Sequence, residues 1–362
     1  MVIRVAHIIG KMLAGGVETV VFNYYKAIDH SKIQFDFYYD QDSIVEPPQD
    51  LIDMGARFIM LPPYQSLSKY ISELRVHLRN ENYSIIHSHL NTLSVFPLYA
   101  AWRENVPIRI AHNHSVPGRD KFMRNVIKHM LRPFSKLFST DYFACSEKAG
   151  RWLFGDRTFN EGKVYVMKNA LDFQKFKSHI IQRENNRREL GVENQFVLGC
   201  VGRFTHAKNH IFVLDVFKEI LKTRDARLLL VGDGELRDSI TEYASRLGIR
   251  SKIIFTGIVS NPEKYYSVMD VVVVPSFFEG LSLVTIESQV AGIPSVISNS
   301  IPNEAIISNG CDCVELSENK KKWANAVIDA GGKSVTLNEK AFDYNIEKQA
   351  KKLENWYMNI LE

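Results

Sequence analysis

Short apolar segments alternate with amphipathic helical segments along the chain, and this rhythm constrains the fold more than any other feature. Residues 2–9 are apolar and mostly β-branched, and residues 19–28 follow with helical spacing. Buried strands that alternate with helices form parallel sheets covered by helices on both faces. The other segments with strand character are residues 35–39, 57–61, 84–87, 108–112, 196–201, 228–231, 253–255, 271–274 and 295–297.

The pattern runs twice, which predicts an α/β protein of two doubly wound, Rossmann-like domains. A chain of 362 residues is also too long for one ordinary domain of roughly 100–200 residues. Residues 1–175 form the first predicted domain, the polar residues 176–194 a linker, and residues 195–344 the second domain. Ligands of such sheets bind at the carboxyl ends of the strands, so we expect a site in a cleft between two facing domains.

Composition excludes several other classes of protein. The chain is 45% hydrophobic and 24% charged, which is typical of a folded globular protein. Its four scattered cysteines are too few for a disulfide scaffold, and Cys311-Asp312-Cys313 lacks a second pair at zinc spacing. No segment approaches the roughly 18–20 apolar residues of a membrane span, and residues 1–10 read as a strand rather than a signal peptide. We therefore expect a cytoplasmic protein.

The formal net charge of +4 combines a basic first half with a slightly acidic second half. Residues 1–180 carry 23 Lys and Arg against 17 Asp and Glu, or +6, and the other 182 residues carry 22 against 24, or −2. A basic first half indicates an acidic partner there, such as phosphate groups or an anionic membrane. No nucleic-acid motif lies on a basic stripe, so we expect no nucleic-acid partner.

Two loops that follow predicted strands carry residues suited to phosphate. Gly15 and Gly16 precede the first helix, where paired glycines admit a ligand close to the backbone and a helix N-terminus favours an anion. Arg203 and Lys208 follow the strand at residues 196–201, and two cations at the carboxyl end of a parallel strand suit a diphosphate. An ordinary strand–helix turn and a pair of solvated surface cations are the alternative interpretations.

The segment most specific for chemistry, residues 275–287, follows the strand at residues 271–274. Glu279 lies in the loop, where its carboxylate can accept hydrogen bonds from sugar hydroxyls. Glu287 lies inside the following helix, where it can hold a ribose diol. Between them, the N–H groups of residues 280–284 offer a phosphate site at the start of a helix.

Together these segments resemble the retaining GT-B glycosyltransferases of glycosyltransferase family four, over most of the chain. Within that family, the sequence is most similar to bacterial enzymes of capsular, exopolysaccharide or O-antigen assembly. Two departures, Gly-Val-Glu for the commoner Gly-Ala-Glu and Asn-Ala for Asn-Gly, are mild. The motifs that carry the resemblance are Gly15-Gly-Val-Glu18, Asn169-Ala-Leu-Asp172, Val201-Gly-Arg-Phe204 with Lys208, Leu230-Val-Gly-Asp-Gly-Glu235, Phe255-Thr-Gly257, and Glu279 with Glu287.

The resemblance implies a role for each site residue. Arg203 and Lys208 would bind the donor diphosphate, Glu279 would hold donor-sugar hydroxyls, and Glu287 would hold the ribose. The resemblance also implies that the last helix, residues 345–362, packs back on the first domain. The implied donor-binding residues, including a base pocket formed by the turn at residues 231–234 and the backbone of residues 257 and 258, are Gly15, Gly16, Asp233, Gly257, Ile258, Gly280, Leu281, Ser282, Leu283 and Glu287.

Four histidines, His87, His89, His112 and His114, end two predicted strands of the first domain. Each pair points to one face of its strand, and no Cys or Glu joins them at ligand spacing, so we expect no metal. The family that the chain resembles places a donor-contacting histidine after the second of these strands. His112 fits that position best, and His114 is the alternative.

The resemblance further implies a reaction that needs neither a metal nor another cofactor. Retaining enzymes of this type show no obvious carboxylate nucleophile, which predicts a front-face mechanism. In that mechanism the donor β-phosphate takes the acceptor proton as the sugar transfers. The largest catalytic contribution would then be electrostatic stabilisation of the departing diphosphate by Arg203, Lys208 and helix N-termini.

Residues 119–139 combine an apolar helical stripe with six basic residues and one acidic residue, a local charge of +5. This pattern is typical of a helix that lies on an anionic membrane. The alternative is a helix with its apolar face in the core and a solvated basic face. We expect membrane contact, at the inner face of the plasma membrane, because lipid-linked acceptors are typical of the enzymes that the chain resembles.

The expected activity is transfer of a hexose or N-acetylhexosamine from a nucleotide-diphosphate sugar to a saccharide acceptor, lipid-linked in the enzymes that the chain resembles. UDP is the expected nucleotide, and no residue excludes GDP. A nucleotide-sugar epimerase or glycan phosphorylase on the same fold, and a non-catalytic partner subunit, are the alternatives. A dinucleotide oxidoreductase is disfavoured because no Gly-x-Gly-x-x-Gly follows either first strand.

Overall fold

The structure, a computed structural model, describes residues 2–13, 15–116 and 122–361. The chain divides into two units, each with its own hydrophobic core. The first unit contains Met1–Leu171 and returns at Asp343–Glu362, and the second contains Asp172–Phe342. Within the described residues, no helix has the length and apolar character needed to cross a membrane.

The first unit is built on a seven-stranded sheet in the order β3-β2-β1-β4-β5-β6-β7, and every pair of neighbouring strands is parallel. The strands are β1 (Ile3–Gly10), β2 (Ile33–Asp40), β3 (Arg57–Leu61), β4 (Ile85–Ser88), β5 (Ile108–Asn113), β6 (Asp141–Ala144) and β7 (Val164–Val166). The helices are α1 (Gly16–Ala27), α2 (Gln49–Asp53), α3 (Leu67–Glu81), α4 (Val95–Arg103), α5 (Phe122–Leu131), α6 (Glu147–Phe154) and α7 (Asp156–Asn160), with the last helix of the chain, Ile346–Asn359, added at the end.

The second unit is built on a six-stranded parallel sheet in the order β10-β9-β8-β11-β12-β13. Its strands are β8 (Phe196–Val201), β9 (Ala226–Val231), β10 (Ile253–Gly257), β11 (Val271–Val274), β12 (Ser295–Ser298) and β13 (Cys311–Val314). Its helices are α8 (Phe173–Ile181), α9 (Arg183–Glu189), α10 (His210–Ile220), α11 (Arg237–Arg246), α12 (Pro262–Val268), α13 (Leu283–Val290) and α14 (Lys320–Ala330), so the final helix of the first unit is α15.

Residues 176–194, predicted as a linker, instead form most of α8 and all of α9 and belong to the second unit. Asp172 begins α8 because its side chain accepts hydrogen bonds from two backbone N–H groups of the first turn. Arg183 and Arg187 of α9 then point inward and bind the carboxylate of Asp270. Two arginines of the charged run are therefore held by a carboxylate of the second unit, whereas Glu184, Arg188 and Glu189 are exposed to solvent.

The last helix, α15, packs on α1 within the first unit. Its N-cap is Asn345, whose side chain accepts a hydrogen bond from Lys348 N–H. The buried Glu354 accepts a hydrogen bond from the Asp29 backbone N–H, and the buried Tyr357 hydroxyl lies 2.7 Å from His87 Nδ1. A helix from the end of the chain thus reaches the middle of the first sheet.

Each sheet reverses its strand order at one point, between β1 and β4 in the first unit and between β8 and β11 in the second. At such a point the connections leave in opposite directions from adjacent strands, and a crevice opens at their carboxyl ends. The residues that follow β8 and β11 are the predicted donor-binding segments. The residues at the ends of β1, β4 and β5 include the predicted histidines.

Candidate functional site

The loops that follow β8 and β11 are joined at the switch point of the second sheet. Asn209, in a left-handed conformation with φ of 58°, donates from Nδ2 to the Pro275 carbonyl at 3.1 Å. The Phe277 N–H donates to the Ala207 carbonyl at 2.9 Å. These two bonds hold the loop of Lys208 and the loop of Glu279 against each other.

Lys208 and Glu279 form an ion pair with a separation of 2.6 Å between Nζ and Oε1. Their side chains are only 23% and 14% exposed, so the pair is largely shielded from water. Ser276 donates a further hydrogen bond to the same carboxylate oxygen at 3.0 Å. Burial acts to lower the pKa of Lys208, but the Glu279 carboxylate outweighs burial and raises that pKa above its ordinary value. Lys208 is therefore a fixed cation.

Arg203 lies in the same loop and stays exposed. Among the described residues, its nearest carboxylate is that of Glu235, and the 3.6 Å between the guanidinium nitrogen and Glu235 Oε2 is longer than a hydrogen bond. Its fork of N–H donors thus remains available for an anionic ligand, whereas Lys208 is already neutralised in part.

Glycines bring two backbone turns into close contact beside this loop. A Cβ on Gly232, whose φ is +130°, would lie 2.2 Å from the Gly202 carbonyl oxygen. A Cβ on Gly234 would lie 2.6 Å from the Phe204 carbonyl oxygen. The Gly232 N–H also donates to the Gly257 carbonyl at 3.0 Å. Only glycine permits this approach of the turns after β8, β9 and β10.

The predicted base-pocket residues lie on these same turns. The Asp233 carbonyl accepts a hydrogen bond from the Phe204 N–H at 2.9 Å, and its carboxylate accepts one from the Gly234 N–H at 2.7 Å. Gly257 ends β10 with φ of +73°, and apart from its two chain neighbours no described residue has an atom within 4 Å of the position that a Cβ would take. Ile258 follows with 55% of its side chain exposed. An exposed apolar side chain beside an open glycine suits a flat, weakly polar ligand such as a nucleobase.

The N-terminus of α13 follows Gly280 and Leu281. Ser282 is the N-cap, and its hydroxyl accepts a hydrogen bond from the Thr285 N–H. The N–H groups of Leu283 and Val284 have no hydrogen-bond partner among the described residues. Two free donors at the positive end of a helix favour an anion, as predicted for a phosphate.

Glu287 lies on the buried side of α13, with 7% exposure. The fully buried Tyr266 donates its hydroxyl to Glu287 Oε2 at 2.7 Å. Burial raises the pKa of Glu287 above its ordinary range, and this hydrogen bond opposes the shift. Tyr266 therefore orients one carboxylate oxygen and leaves the other for a ligand.

In the first unit, Gly15 caps α1 and Gly16 begins it. The buried Glu18 carboxylate folds back to accept a hydrogen bond from the Leu13 N–H at 2.7 Å. A Cβ on Gly15 would lie 3.0 Å from Glu18 Oε2. Gly15 therefore makes room for a carboxylate of the chain itself at this helix start, in addition to any role toward a ligand.

The predicted histidines of the first unit lie side by side. His112 is a fully buried residue of β5, whereas His114 lies just beyond the strand and is partly exposed. Of the two alternatives for a donor-contacting histidine, His114 is thus the more accessible. Burial lowers the pKa of both imidazoles, which are neutral near pH 7.

The second unit brings Arg203, Lys208, Glu279 and the predicted N–H groups of α13 to one edge of its sheet. Sequence reasoning missed two positioning residues of this unit, Tyr266 and Asn209. Asn209 directly follows Lys208 and had a signal, because Asn often adopts the left-handed conformation at a helix terminus. Tyr266 lies between Tyr265 and Ser267, outside any motif, and carried no local signal.

Comparison with known proteins matches both units to glycosyltransferases. The family model described as "Glycosyltransferase Family 4" matches residues 14–175, and "Glycosyl transferases group 1" matches residues 195–330. The EpsF protein of Bacillus subtilis (strain 168), named as a glycosyltransferase, is 30% identical over 90% of this chain and 87% of its own length.

Two further comparisons extend over almost the whole chain. An Escherichia coli protein named "UDP-Gal:alpha-D-GlcNAc-diphosphoundecaprenol alpha-1,3-galactosyltransferase" is 22% identical over 99% of this chain and 97% of its own. The crystal structure of HepE from Anabaena in complex with UDP and glucose superposes with a TM-score of 0.73 at 16% identity, covering 98% of this chain and 95% of HepE.

The two Rossmann-like units and these matches define a glycosyltransferase with the GT-B fold, which confirms the predicted fold class and activity class. Within that class, the chain belongs to glycosyltransferase family four.

Proposed function

We propose that this glycosyltransferase transfers a hexose or N-acetylhexosamine from a UDP-sugar to a lipid-linked saccharide acceptor in surface-polysaccharide assembly, with retention of anomeric configuration. The observation that carries the donor half of the proposal is the shielded pair of Lys208 and Glu279 beside the exposed Arg203. The two cations can bind the donor diphosphate. The Glu279 carboxylate, fixed beside them, can accept hydrogen bonds from the hydroxyls of the attached sugar.

The charges of the second unit suit the reaction step by step. The donor diphosphate would take Arg203, Lys208 and the free N–H groups of α13 as its partners. Glu279, held in place by its contact with Lys208, would accept hydrogen bonds from sugar hydroxyls, and Glu287 would accept those of the ribose. As the bond to the sugar breaks, negative charge grows on the diphosphate, and these preorganised cations and dipoles stabilise it.

This arrangement supports a front-face reaction without a metal at the diphosphate. Neither carboxylate of the second-unit site is free to act as a nucleophile, because Glu279 is bound to Lys208 and Glu287 is buried against Tyr266. The acceptor proton would pass to the donor β-phosphate as the new glycosidic bond forms. The named E. coli relative uses a UDP-sugar and a diphosphoundecaprenol acceptor, which favours the same two substrates here.

A lipid-linked acceptor requires access to a membrane surface, and α5 with the following turn supplies a candidate. Residues 119–121 and the side chains of residues 122–124 lie outside the described part of the chain. From residue 125 onward, five apolar side chains are exposed to solvent, which favours membrane contact over the alternative of a core-facing apolar stripe. They are Val126 (38% exposed), Ile127 (50%), Met130 (68%), Phe134 (50%) and Leu137 (62%). With the basic residues of the same segment, they suit partial insertion into an anionic bilayer.

The donor proposal is tested by isothermal titration of UDP, UDP-sugars and GDP-sugars in the presence of EDTA. We expect selective binding of one UDP-sugar. Arg203→Ala should weaken UDP and UDP-sugar alike, because both carry the diphosphate. Glu279→Gln should weaken the UDP-sugar more than UDP, because UDP lacks the sugar that this carboxylate holds. Exposed Lys252→Ala, at the opposite end of β10, is the matched control and should change neither affinity.

Three outcomes would count against the proposal. Binding of no nucleotide sugar would favour a non-catalytic partner subunit. Equal loss of UDP and UDP-sugar affinity in Glu279→Gln would remove the assigned role of that carboxylate. A strict requirement for a divalent ion would contradict the metal-independent mechanism.

Membrane contact is tested by sedimentation with liposomes that contain or lack anionic lipid. We expect binding only to anionic liposomes, and the double substitution Ile127→Ser with Met130→Ser should weaken it. Val76→Ser is the matched control, because Val76 is an equally exposed apolar residue (51%) on α3. Unchanged binding in the double variant, or binding independent of lipid charge, would refute a role for this helix.

A further inference from the structure

An exposed aromatic pair lies in the two loops that carry Lys208 and Glu279. His206 comes two residues before Lys208, and Phe277 comes two residues before Glu279. The two rings are stacked, with 4.9 Å between their centroids and 18° between their planes. Both side chains are exposed, that of Phe277 by 42%, although phenylalanine is among the residues that are most often buried. The roles assigned above to the donor site do not use this pair.

The backbone around Phe277 is fixed on two sides. Its N–H donates to the Ala207 carbonyl at 2.9 Å. The carbonyl of the preceding Ser276 accepts hydrogen bonds from the hydroxyls of Ser298 at 2.7 Å and Ser300 at 2.6 Å. The stacked imidazole covers one face of the phenyl ring, and no other ring of the described residues lies against it. The ring is therefore presented to solvent in a fixed orientation, and a ligand that binds there need not order it first.

The order of the strands places this ring at one end of the donor site. The predicted base pocket lies on the turns after β9 and β10, and the two cations follow β8. Because the sheet order is β10-β9-β8-β11, Phe277, which follows β11, lies on the far side of the cations from the base pocket. A nucleotide sugar carries its base and its sugar at opposite ends of the diphosphate. The position of the ring thus suits the sugar rather than the base.

We propose that Phe277, supported by His206, is a stacking platform for the sugar ring of the nucleotide-sugar donor. This inference rests on the donor site proposed above and adds an apolar contact to it. The face of an aromatic ring carries partial negative charge, and the C–H groups on a face of a pyranose carry partial positive charge. The two faces attract each other, and their contact removes apolar surface of both from water.

The platform complements the Glu279 carboxylate. A hexose has hydroxyls around its rim and C–H groups on its faces, so a site that binds it uses both hydrogen-bond acceptors and an apolar surface. Glu279, held by Lys208 and Ser276, supplies the acceptors, and Phe277 supplies the surface. UDP alone can bind the cations but has no hexose to place on the ring. The platform therefore increases affinity for the UDP-sugar and not for UDP.

The test is isothermal titration of the full chain with UDP, UDP-glucose, UDP-galactose and UDP-N-acetylglucosamine in the presence of EDTA. The measured quantity is the ratio of UDP-sugar affinity to UDP affinity, for the sugar that binds most tightly. Phe277→Ala should lower this ratio about 3–10-fold, the range expected of an aromatic stacking contact, and should leave UDP affinity within about twofold. Because the side chain is exposed, the variant should keep the wild-type melting temperature.

Conservative variants separate stacking from a structural effect. Phe277→Trp keeps a flat ring and should keep the ratio. Its new indole fluorescence, measured as the difference from the wild-type protein, should change more with the UDP-sugar than with UDP. His206→Ala should lower the ratio, and His206→Phe, which restores a ring, should bring it back. Phe342→Ala is the matched control, because Phe342 is exposed (62%) in the second unit but lies outside the loops after β8 and β11, and it should leave the ratio unchanged.

An unchanged ratio in Phe277→Ala would overturn the proposal, as would equal losses of UDP and UDP-sugar affinity. The Glu279→Gln variant separates this result from failure of the donor site itself. If Glu279→Gln lowers the ratio and Phe277→Ala does not, only the platform is refuted. If the wild-type protein binds neither UDP nor any of the three UDP-sugars, the donor site and the platform are refuted together.

Discussion

The ion pair of Lys208 and Glu279 allows a quantitative prediction about the stability of the second unit. At 2.6 Å, two unit charges in an effective dielectric constant of about 20 attract each other by about 6 kcal/mol. Removal from water offsets most of that attraction. Removal of one partner leaves the other charge shielded and unpaired, which costs about 3–5 kcal/mol for fully buried pairs. Because this pair is still partly exposed, we expect each single substitution to lower the free energy of unfolding by about 3 kcal/mol, the lower end of that range.

The perturbation is a double-mutant cycle of Lys208→Met and Glu279→Gln. The double variant carries no unpaired charge and should lose less than the sum of the two single variants, with a coupling energy of about 2 kcal/mol. The assay is hydrogen exchange of the backbone amides of β8 and β11, measured by mass spectrometry. Because these strands are the centre of the second sheet, their exchange reports the opening of that unit alone.

The matched control is the pair of Lys322 and Glu318, which has the same 2.6 Å separation but side chains that are 59% and 33% exposed. Its cycle should give a coupling below about 0.5 kcal/mol. If the two cycles give equal couplings, burial does not strengthen the Lys208 pair. If the Lys208 cycle is additive within about 0.5 kcal/mol, the pair is not the fixed charge arrangement on which the donor site depends.

Three further predictions concern single residues. Gly232→Ala should destabilise the second unit by more than about 3 kcal/mol and abolish UDP binding. Gly248→Ala, at a positive φ of +72° with open space around the added Cβ, should cost about 1 kcal/mol. Similar losses of the two variants in urea unfolding would refute the backbone clash at Gly232. Tyr266→Phe should weaken UDP binding about tenfold but leave pyrophosphate affinity unchanged, because it disturbs only the Glu287 carboxylate that is proposed to bind the ribose. If calorimetry shows equal losses of UDP and pyrophosphate affinity, that role of Glu287 is contradicted. Burial, and to a lesser extent the nearby Asp42 carboxylate, raises the pKa of Asp40 to about 7. The folded protein therefore keeps a proton that the unfolded chain releases near pH 4. As a result, the free energy of unfolding falls as pH rises from about 4 to 7. Asp40→Asn should therefore raise the melting temperature at pH 8 and not at pH 4. An equal shift of the melting temperature at both pH values would rule out a raised pKa of Asp40 as the cause.

The fold was predictable because parallel strands with two covered faces are nearly continuous apolar segments. The strands at residues 57–61, 196–201 and 271–274 have the predicted bounds in the structure. Polarity was misleading at α9. Arg187 is 8% exposed, and its guanidinium binds Asp270 and backbone carbonyls including that of Val192, so a buried arginine was read as part of a solvated linker.

Site residues were predictable where polar side chains lie in a loop directly after a predicted strand. They were not predictable where their role depends on a tertiary contact. Lys208 and Glu279 were predicted separately from their loops, but only the fold shows that they bind each other. His7 lies in the middle of an apolar strand with its Nδ1 2.9 Å from His89 Nε2, and no spacing relates it to His89, which is 82 positions away. Exposure of the apolar side chains of α5 likewise depends on what the rest of the first unit leaves uncovered.

The return of the chain to its first unit at Asp343 determines the order in which that unit can be completed during synthesis. The Tyr357 hydroxyl that supports His87 belongs to a helix made after the entire second unit, about 170 residues later. At the usual rate of protein synthesis, about 5–20 residues per second, α15 is made roughly 10–35 s after the strands of the first sheet. During that interval the groove that α15 will occupy on α1 is bare, and the nascent chain exposes a surface that a chaperone or a neighbouring polysome product can engage.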